Sequence, residues 1–236
     1  MATNERTARN LEAEGKRTAG VFAANQVETD MVLGLGTGST VQFALERLAA
    51  RIRDDGLRIR GVPTSSVTAT EARRLEIPLT TLEDDPELDL TIDGADEVDP
   101  AKCLIKGGGA ALTREKIVAA ASQRMLVIVG RNKLVDRLGI DFLLPVEVLT
   151  FGFEATRRKI AELGCETYLR QDASGATLVT DNGNWIVDCR FEDGIADPVG
   201  LEPRIDAIPG VVECGLFCGL ASSIVVGEPD GGVTVL

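Results

Sequence analysis

Along the first 130 positions, short and largely apolar runs alternate with stretches of helical period. Met31–Leu35, Leu57–Val62, Leu88–Ile92 and Met125–Val129 read as strands, and the most continuous of them have the pattern of strands covered on both faces. Residues 7–28, Val41–Asp54, Thr68–Leu75 and Ala110–Ala121 read as helices between them. In the second helix Ala44, Leu45, Leu48 and Ile52 form one apolar stripe. The alternation predicts an α/β domain with a largely parallel sheet. Cys103–Ile105 is a brief extended segment. After Pro145 the rhythm changes. Pro145–Leu149, Cys165–Arg170, Leu178–Thr180, Trp185–Phe191 and Val211–Phe217 read as strands, Phe153–Leu163 and Asp197–Ile208 as helices. That order is close to a ferredoxin-like α+β unit. Ser222–Gly227 is a final apolar strand, followed by Pro229-Asp230-Gly231-Gly232.

Composition narrows the chemistry. The 236 residues correspond to one or two domains at about 150 residues each. No apolar run approaches the roughly 18–20 residues that cross a bilayer, and residues 1–25 are charged, without the apolar segment of a secretion signal. A cytoplasmic protein is expected. Histidine is absent, which excludes Ser-His-Asp and Cys-His nucleophile systems and His-ligated metal sites. Acid–base chemistry near neutral pH falls to a carboxylate, lysine, tyrosine or thiol. The net charge is −12, and there is one Trp and one Tyr, so nucleic acid is not an expected partner. Only six of the 25 basic residues are Lys. Such an acidic, Lys-poor surface suits either a salt-rich cytoplasm or an ordinary acidic enzyme. Cys103, Cys165, Cys189, Cys214 and Cys218 are odd in number and contain no CxxC, the signature of buried, reduced thiols.

Three polar loops each follow an expected strand, and ligands of open parallel sheets bind at the carboxyl ends of strands. The first is Gly34-Leu35-Gly36-Thr37-Gly38-Ser39-Thr40. Its GxGxG spacing is a partial dinucleotide fingerprint, with Ser39 in place of the third glycine and no acid ending the next strand. It fits a monophosphate cradle of backbone amides with the Thr37, Ser39 and Thr40 hydroxyls, or a tight turn N-capped by Ser39 or Thr40. The second is Asp93-Gly94-Ala95-Asp96-Glu97. Its three acids suit a metal site, hydroxyl binding, acid–base work or a capped turn. The third, Lys106-Gly107-Gly108-Gly109, opens the helix carrying Glu115, about two turns in. Three glycines allow a backbone to approach a ligand closely, and Lys106 with the loop amides can stabilise an oxyanion. Glu115 reads either as a pocket carboxylate or as a surface group paired with a neighbouring cation.

Together these segments resemble the A-type ribose-5-phosphate isomerases. The resemblance rests on Gly36–Thr40, Asp93–Glu97, Lys106-Gly107-Gly108-Gly109-Ala110-Ala111-Leu112-Thr113-Arg114-Glu115-Lys116, Leu144–Val148, Val179–Asn184, Ile208–Val212 and Gly215–Phe217, nearly end to end and in the family's order. It implies a Rossmann-like, mostly parallel domain over 1–144 and 217–236, with a smaller ferredoxin-like α+β domain, 145–216, inserted. It implies interconversion of ribose 5-phosphate and ribulose 5-phosphate in the non-oxidative pentose phosphate pathway, no metal and no cofactor, and a homodimer or homotetramer. By carry-over Glu115 is the base, with Lys106 and Gly107, Gly108 and Gly109 stabilising the oxyanion. Asp93, Gly94, Ala95 and Asp96 bind the sugar, Asp93 assisting ring opening. Thr37, Gly38, Ser39 and Thr40 cradle the phosphate with Lys16 and Lys133. Gly130-Arg131-Asn132, ahead of Lys133, departs from the family's commoner small-residue pattern.

Moving a carbonyl between adjacent carbons needs one base and one stabilised enediolate oxygen, so a desolvated carboxylate suffices. The rival readings are a sugar-phosphate sensor without turnover, a sugar-phosphate deaminase, whose usual mechanism wants a histidine, and a metal-dependent isomerase.

Overall fold

The computed structural model describes residues 2–236, with side chains from residue 11 onward. The first elements in chain order are α1 (Ala2–Asn25), β1 (Val32–Leu35), α2 (Ser39–Asp55), β2 (Arg60–Pro63), α3 (Ser66–Arg74), β3 (Leu90–Asp93), β4 (Glu97–Val98), β5 (Leu104–Ile105), α4 (Leu112–Ala120) and β6 (Met125–Gly130). They are followed by β7 (Leu144–Val148), α5 (Phe153–Ala161), β8 (Glu166–Leu169), β9 (Trp185–Arg190), α6 (Pro198–Asp206), β10 (Val211–Cys214), β11 (Leu216–Phe217), β12 (Ser223–Gly227) and β13 (Val233–Val235). The chain divides into two units. One comprises Met1–Ala95, Arg114–Leu134 and Leu220–Leu236, the other Asp96–Thr113 and Val135–Gly219.

The first unit is built on a six-stranded sheet in the order β13-β12-β6-β3-β1-β2, parallel except for β13. The expected alternation of strands and helices is therefore present. Leu33, Leu35, Leu90 and Ile92 are buried in one core with Ala19 and Ala23 of α1 and Ala44, Leu45 and Leu48 of α2, the stripe expected from the sequence. Fully burying each leucine or isoleucine stabilises the fold by about 1.5–3 kcal/mol. The chain runs from β1 outward to β2 and then returns to the other side of β1 to form β3. The sheet thus reverses direction between β1 and β3, and at such a point the loops leaving the two strands open a crevice. The short β13, which the sequence reading missed, pairs antiparallel with β12 after the Pro229–Gly232 turn.

The second unit contains the four-stranded antiparallel sheet β10-β7-β9-β8, with α5 and α6 in the connections. Numbered within the unit this is 4-1-3-2, the order of a ferredoxin-like βαββαβ. The expected extra strand at Leu178–Thr180 is not formed. Leu178 N donates to Arg170 O and Thr180 N to Asn184 O, so the segment is an irregular hairpin. Val211–Phe217, expected as one strand, is two. At Gly215 an added Cβ would lie 2.4 Å from Lys106 O, and here the chain leaves β10 and pairs with β5 instead. The three-stranded sheet β11-β5-β4 results. It draws Asp96–Thr113 into this unit, and Cys103, Ile105 and Leu138 share a core with Val146 and Val187. The packing boundaries thus differ from the expected break at Pro145 and Phe217. Among the described residues no helix is long and apolar enough to cross a membrane. All five cysteines are free thiols, four of them buried.

Candidate active site

In the first unit, the loops after β1 and β3 meet at the reversal point. Asp93, the last residue of β3, is fully buried. Its Oδ1 accepts hydrogen bonds from Thr37 N at 3.0 Å and Gly94 N at 2.7 Å. Gly36 makes this approach feasible, because a Cβ there would lie 2.2 Å from Asp93 Oδ1. Gly36, the middle glycine of the GxGxG stretch, therefore admits a carboxylate from the neighbouring strand, while an added Cβ at Gly34 would meet the Thr91 hydroxyl. The Thr37 hydroxyl is bonded to the hydroxyls of Thr64 at 2.8 Å, Ser65 at 2.8 Å and Thr68 at 3.1 Å. Thr68 in turn donates to Gly36 O and Thr64 to Leu35 O. This hydroxyl nest, which sequence reasoning missed, holds the loop from beneath. Its one local signal is the Thr64-Ser65-Ser66 run that follows β2 in place of an acid.

Helix α2 begins at Ser39 with Gly38 as its N-cap, and no side chain caps it. That sets aside the reading of Ser39 or Thr40 as a capping residue. Thr40 is buried, while Gly38 and Ser39 are exposed. Lys16 and Ser39 line one cavity of about 380 Å³ with Glu12, Ala13, Gln42 and Phe43, so the structure brings Lys16 to the start of α2. Lys16 pairs with Glu12 at 2.7 Å. The Lys16 ammonium, by hydrogen bond and by charge, holds the Glu12 carboxyl below the usual range, with a smaller contribution from the charge of Lys133. Lys133 ends a 3₁₀ turn, Arg131–Lys133, directly after β6.

Glu115 lies in the first turn of α4, not two turns in, because the helix begins at Leu112. It is 4% exposed, whereas Ile117, two residues on, is 52% exposed. Burial of apolar area would favour the opposite arrangement. The helix start also favours a carboxylate there.

In the second unit, the acids of the second loop face different ways. Asp96 Oδ2 accepts from Gly108 N at 2.7 Å, in the triple-glycine loop. Glu97 is buried and accepts from Gly139 N at 2.6 Å and Asp141 N at 3.1 Å. Burial pushes its carboxyl above the usual range, against the pull of these amides. Lys106 is 2% exposed, its amide bonds Gly215 O, and its Nζ stands 5.4 Å from the centre of the Phe217 ring. An ammonium over an aromatic face is favourable by about 0.5–2 kcal/mol. A further carboxylate was not foreseen. Glu147 of β7, fully buried, accepts from Thr113, Thr180, Asn182 and Asn184. It binds the Asp181–Asn184 hairpin to Thr113 in the first turn of α4.

The family model for ribose 5-phosphate isomerase A (phosphoriboisomerase A) matches residues 60–231. The chain belongs to the ribose 5-phosphate isomerase A family. It is 55% identical over 217 residues to the ribose-5-phosphate isomerase A of Roseiflexus castenholzii, covering 92% of each chain. Its fold is similar to that of the Plasmodium falciparum ribose 5-phosphate isomerase, with a TM-score of 0.91 and 38% identity over 95% of this chain and 98% of that one. A D-ribose-5-phosphate isomerase solved in complex with phospho-erythronic acid matches equally well, at a TM-score of 0.91 and 38% identity over 94% and 97% of the two chains. Membership in the ribose 5-phosphate isomerase A family agrees with the resemblance seen in the sequence motifs.

Proposed function

We propose that the protein interconverts D-ribose 5-phosphate and D-ribulose 5-phosphate, with Glu115 as the base. In the open-chain aldose, Glu115 takes the proton from C2. The C2–H electron pair forms the C1–C2 double bond, and the carbonyl oxygen on C1 becomes the negative oxygen of an enediolate. The O2 hydroxyl proton passes to O1, and as the electron pair on O2 forms the C2 carbonyl, the double-bond pair takes the proton back from Glu115 onto C1, giving the ketose. Lys106 and the Gly107 and Gly109 amides stabilise the negative oxygen, an interaction that strengthens as charge develops, while the Gly108 amide is held by Asp96. Asp93 assists ring opening and, with Gly94, Ala95 and Asp96, orients the sugar hydroxyls. The Gly38, Ser39 and Thr40 segment at the start of α2 takes the phosphate, with Lys16 and Lys133 supplying positive charge. The Thr37 side chain, bonded within the hydroxyl nest, contributes by shaping this loop. No metal and no organic cofactor takes part.

The observation that carries this reading is the inversion on α4, where a carboxylate is buried and an isoleucine exposed. A binding module without turnover gains nothing from a desolvated base. The test is isomerisation of ribose 5-phosphate by the purified protein, coupled to detection of ribulose 5-phosphate, with and without EDTA. Turnover unchanged by chelator is expected. Absence of turnover leaves the sensor reading, and loss in EDTA the metal-dependent one. Assembly as a homodimer or homotetramer belongs to the same proposal, and light scattering coupled to gel filtration measures it.

A further inference from the structure

The triple-glycine loop is gripped by a side chain from outside its own motif. Arg170, directly after β8, donates from Nη1 to Gly107 O at 2.7 Å and to Gly108 O at 3.3 Å. Its Nε and Nη2 bind the two carboxylate oxygens of Asp188 on β9. The Arg170 and Asp188 side chains are only 13% and 14% exposed. A charge matched so closely by a largely covered carboxylate is poorly suited to holding a substrate anion. The planar guanidinium instead presents its remaining edge to two carbonyls.

A trans peptide is planar, with its carbonyl and amide pointing in opposite directions, so a held carbonyl sets the direction of the next residue's N–H. The Gly107 carbonyl and the Gly108 amide share one plane. Arg170 holds its carbonyl end and Asp96 Oδ2 its amide end, so the peptide lies between a cation and an anion. The Gly108 carbonyl, also within reach of Arg170, shares a plane with the Gly109 amide. The loop's own turn bond, Ala110 N to Gly107 O at 3.0 Å, also restrains the first carbonyl, but three successive glycines leave the following peptide planes with wide freedom of orientation. We propose that Arg170, oriented by Asp188 and opposed by Asp96, is a positioning residue that aims the Gly109 N–H of the triple-glycine loop at the enediolate oxygen. This rests on the loop's oxyanion role in the isomerase reading above.

The experiment compares wild type with Arg170→Met, Arg170→Lys and Asp188→Asn. It measures kcat, KM, the thermal midpoint and inhibition by two probes. Phospho-erythronic acid carries a planar negative carboxylate like the enediolate, and ribitol 5-phosphate carries none. Losing one oxyanion donor typically reduces kcat by about 10²–10³-fold, so a misaimed donor should cost Arg170→Met roughly 10–100-fold in kcat, with KM within about threefold. Its inhibition by the carboxylate probe should weaken at least as steeply as about tenfold, while the alcohol stays within about twofold. Arg170→Lys, which keeps a donor, should recover part of both losses. Should Arg170→Met melt too low to assay, Arg170→Lys and Asp188→Asn carry the same comparison. Wild-type kcat in the variants, or equal weakening of both probes, overturns the proposal. A wild-type protein that fails to prefer the carboxylate probe removes the oxyanion reading itself, and the positioning role with it.

Discussion

Gly36→Ala tests whether the close approach of β1's loop to Asp93 is essential to the architecture. The added methyl carbon would lie 2.2 Å from Asp93 Oδ1, 2.3 Å from its Cγ and 2.6 Å from its Cα. The carboxylate could rotate away from such a contact, but the Cα could not, so β1 and β3 must separate. Overpacking of this kind costs about 1–3 kcal/mol. Separation also stretches the 3.0 Å bond from Thr37 N to the carboxylate, and a hydrogen bond to a charged group contributes about 1.5–3 kcal/mol. The expected destabilisation is therefore about 2.5–6 kcal/mol, or roughly 5–12 °C in melting midpoint for a chain of 236 residues. Thermal or urea unfolding measures it, and kcat should fall because Asp93 is displaced. A variant within about 1 kcal/mol of wild type, with normal turnover, would show that the loop does not depend on this contact.

Glu12→Gln should lower KM for ribose 5-phosphate by about two- to fivefold with kcat unchanged, because the carboxylate paired with Lys16 in the α2 cavity competes with an incoming phosphate. Steady-state kinetics decide it, and an unchanged or higher KM contradicts it. Glu147→Ala should cost about 3–5 kcal/mol in urea unfolding, since four donors lose their acceptor, and Glu147→Gln only about 1–2 kcal/mol, since the amide oxygen can still accept and the Thr113 hydroxyl can turn to accept from the new amide. Glu97 has a carboxyl raised above its ordinary 4.5, so its stabilising contribution is complete below that pH and fades as pH climbs through the raised value. Urea unfolding from pH 4 to 7 should show that decline in wild type and a flatter curve in Glu97→Gln.

What the sequence revealed follows from periodicity and from loops at strand ends. The parallel strands, the apolar stripe on α2 and the ferredoxin-like order were legible because each leaves a local pattern. Glu115 stood out only with the triple-glycine motif beside it. On a hydropathy pattern alone Ile117 would be taken as the buried residue and Glu115 as the exposed one. The contacts that hold the site in place were not legible. Arg170 meets Gly107 across 63 positions, Thr37 meets Ser65 across 28, and Glu147 meets Thr180 across 33. No local spacing marks such pairs. The short segments failed for a related reason. Leu178–Thr180 has the β-branched look of a strand, but its groups turn to Arg170, Asn184 and Glu147, and β4 is only two residues long.

The central claim is that one desolvated glutamate moves the proton between C1 and C2. Turnover of ribose 5-phosphate by Glu115→Gln, in protein that unfolds like wild type, tests it most directly. Removing a general base alone costs about 10²–10⁴-fold, and kcat should fall at least that far with KM little changed. A variant that folds normally and isomerises ribose 5-phosphate at close to the wild-type rate would contradict the assignment.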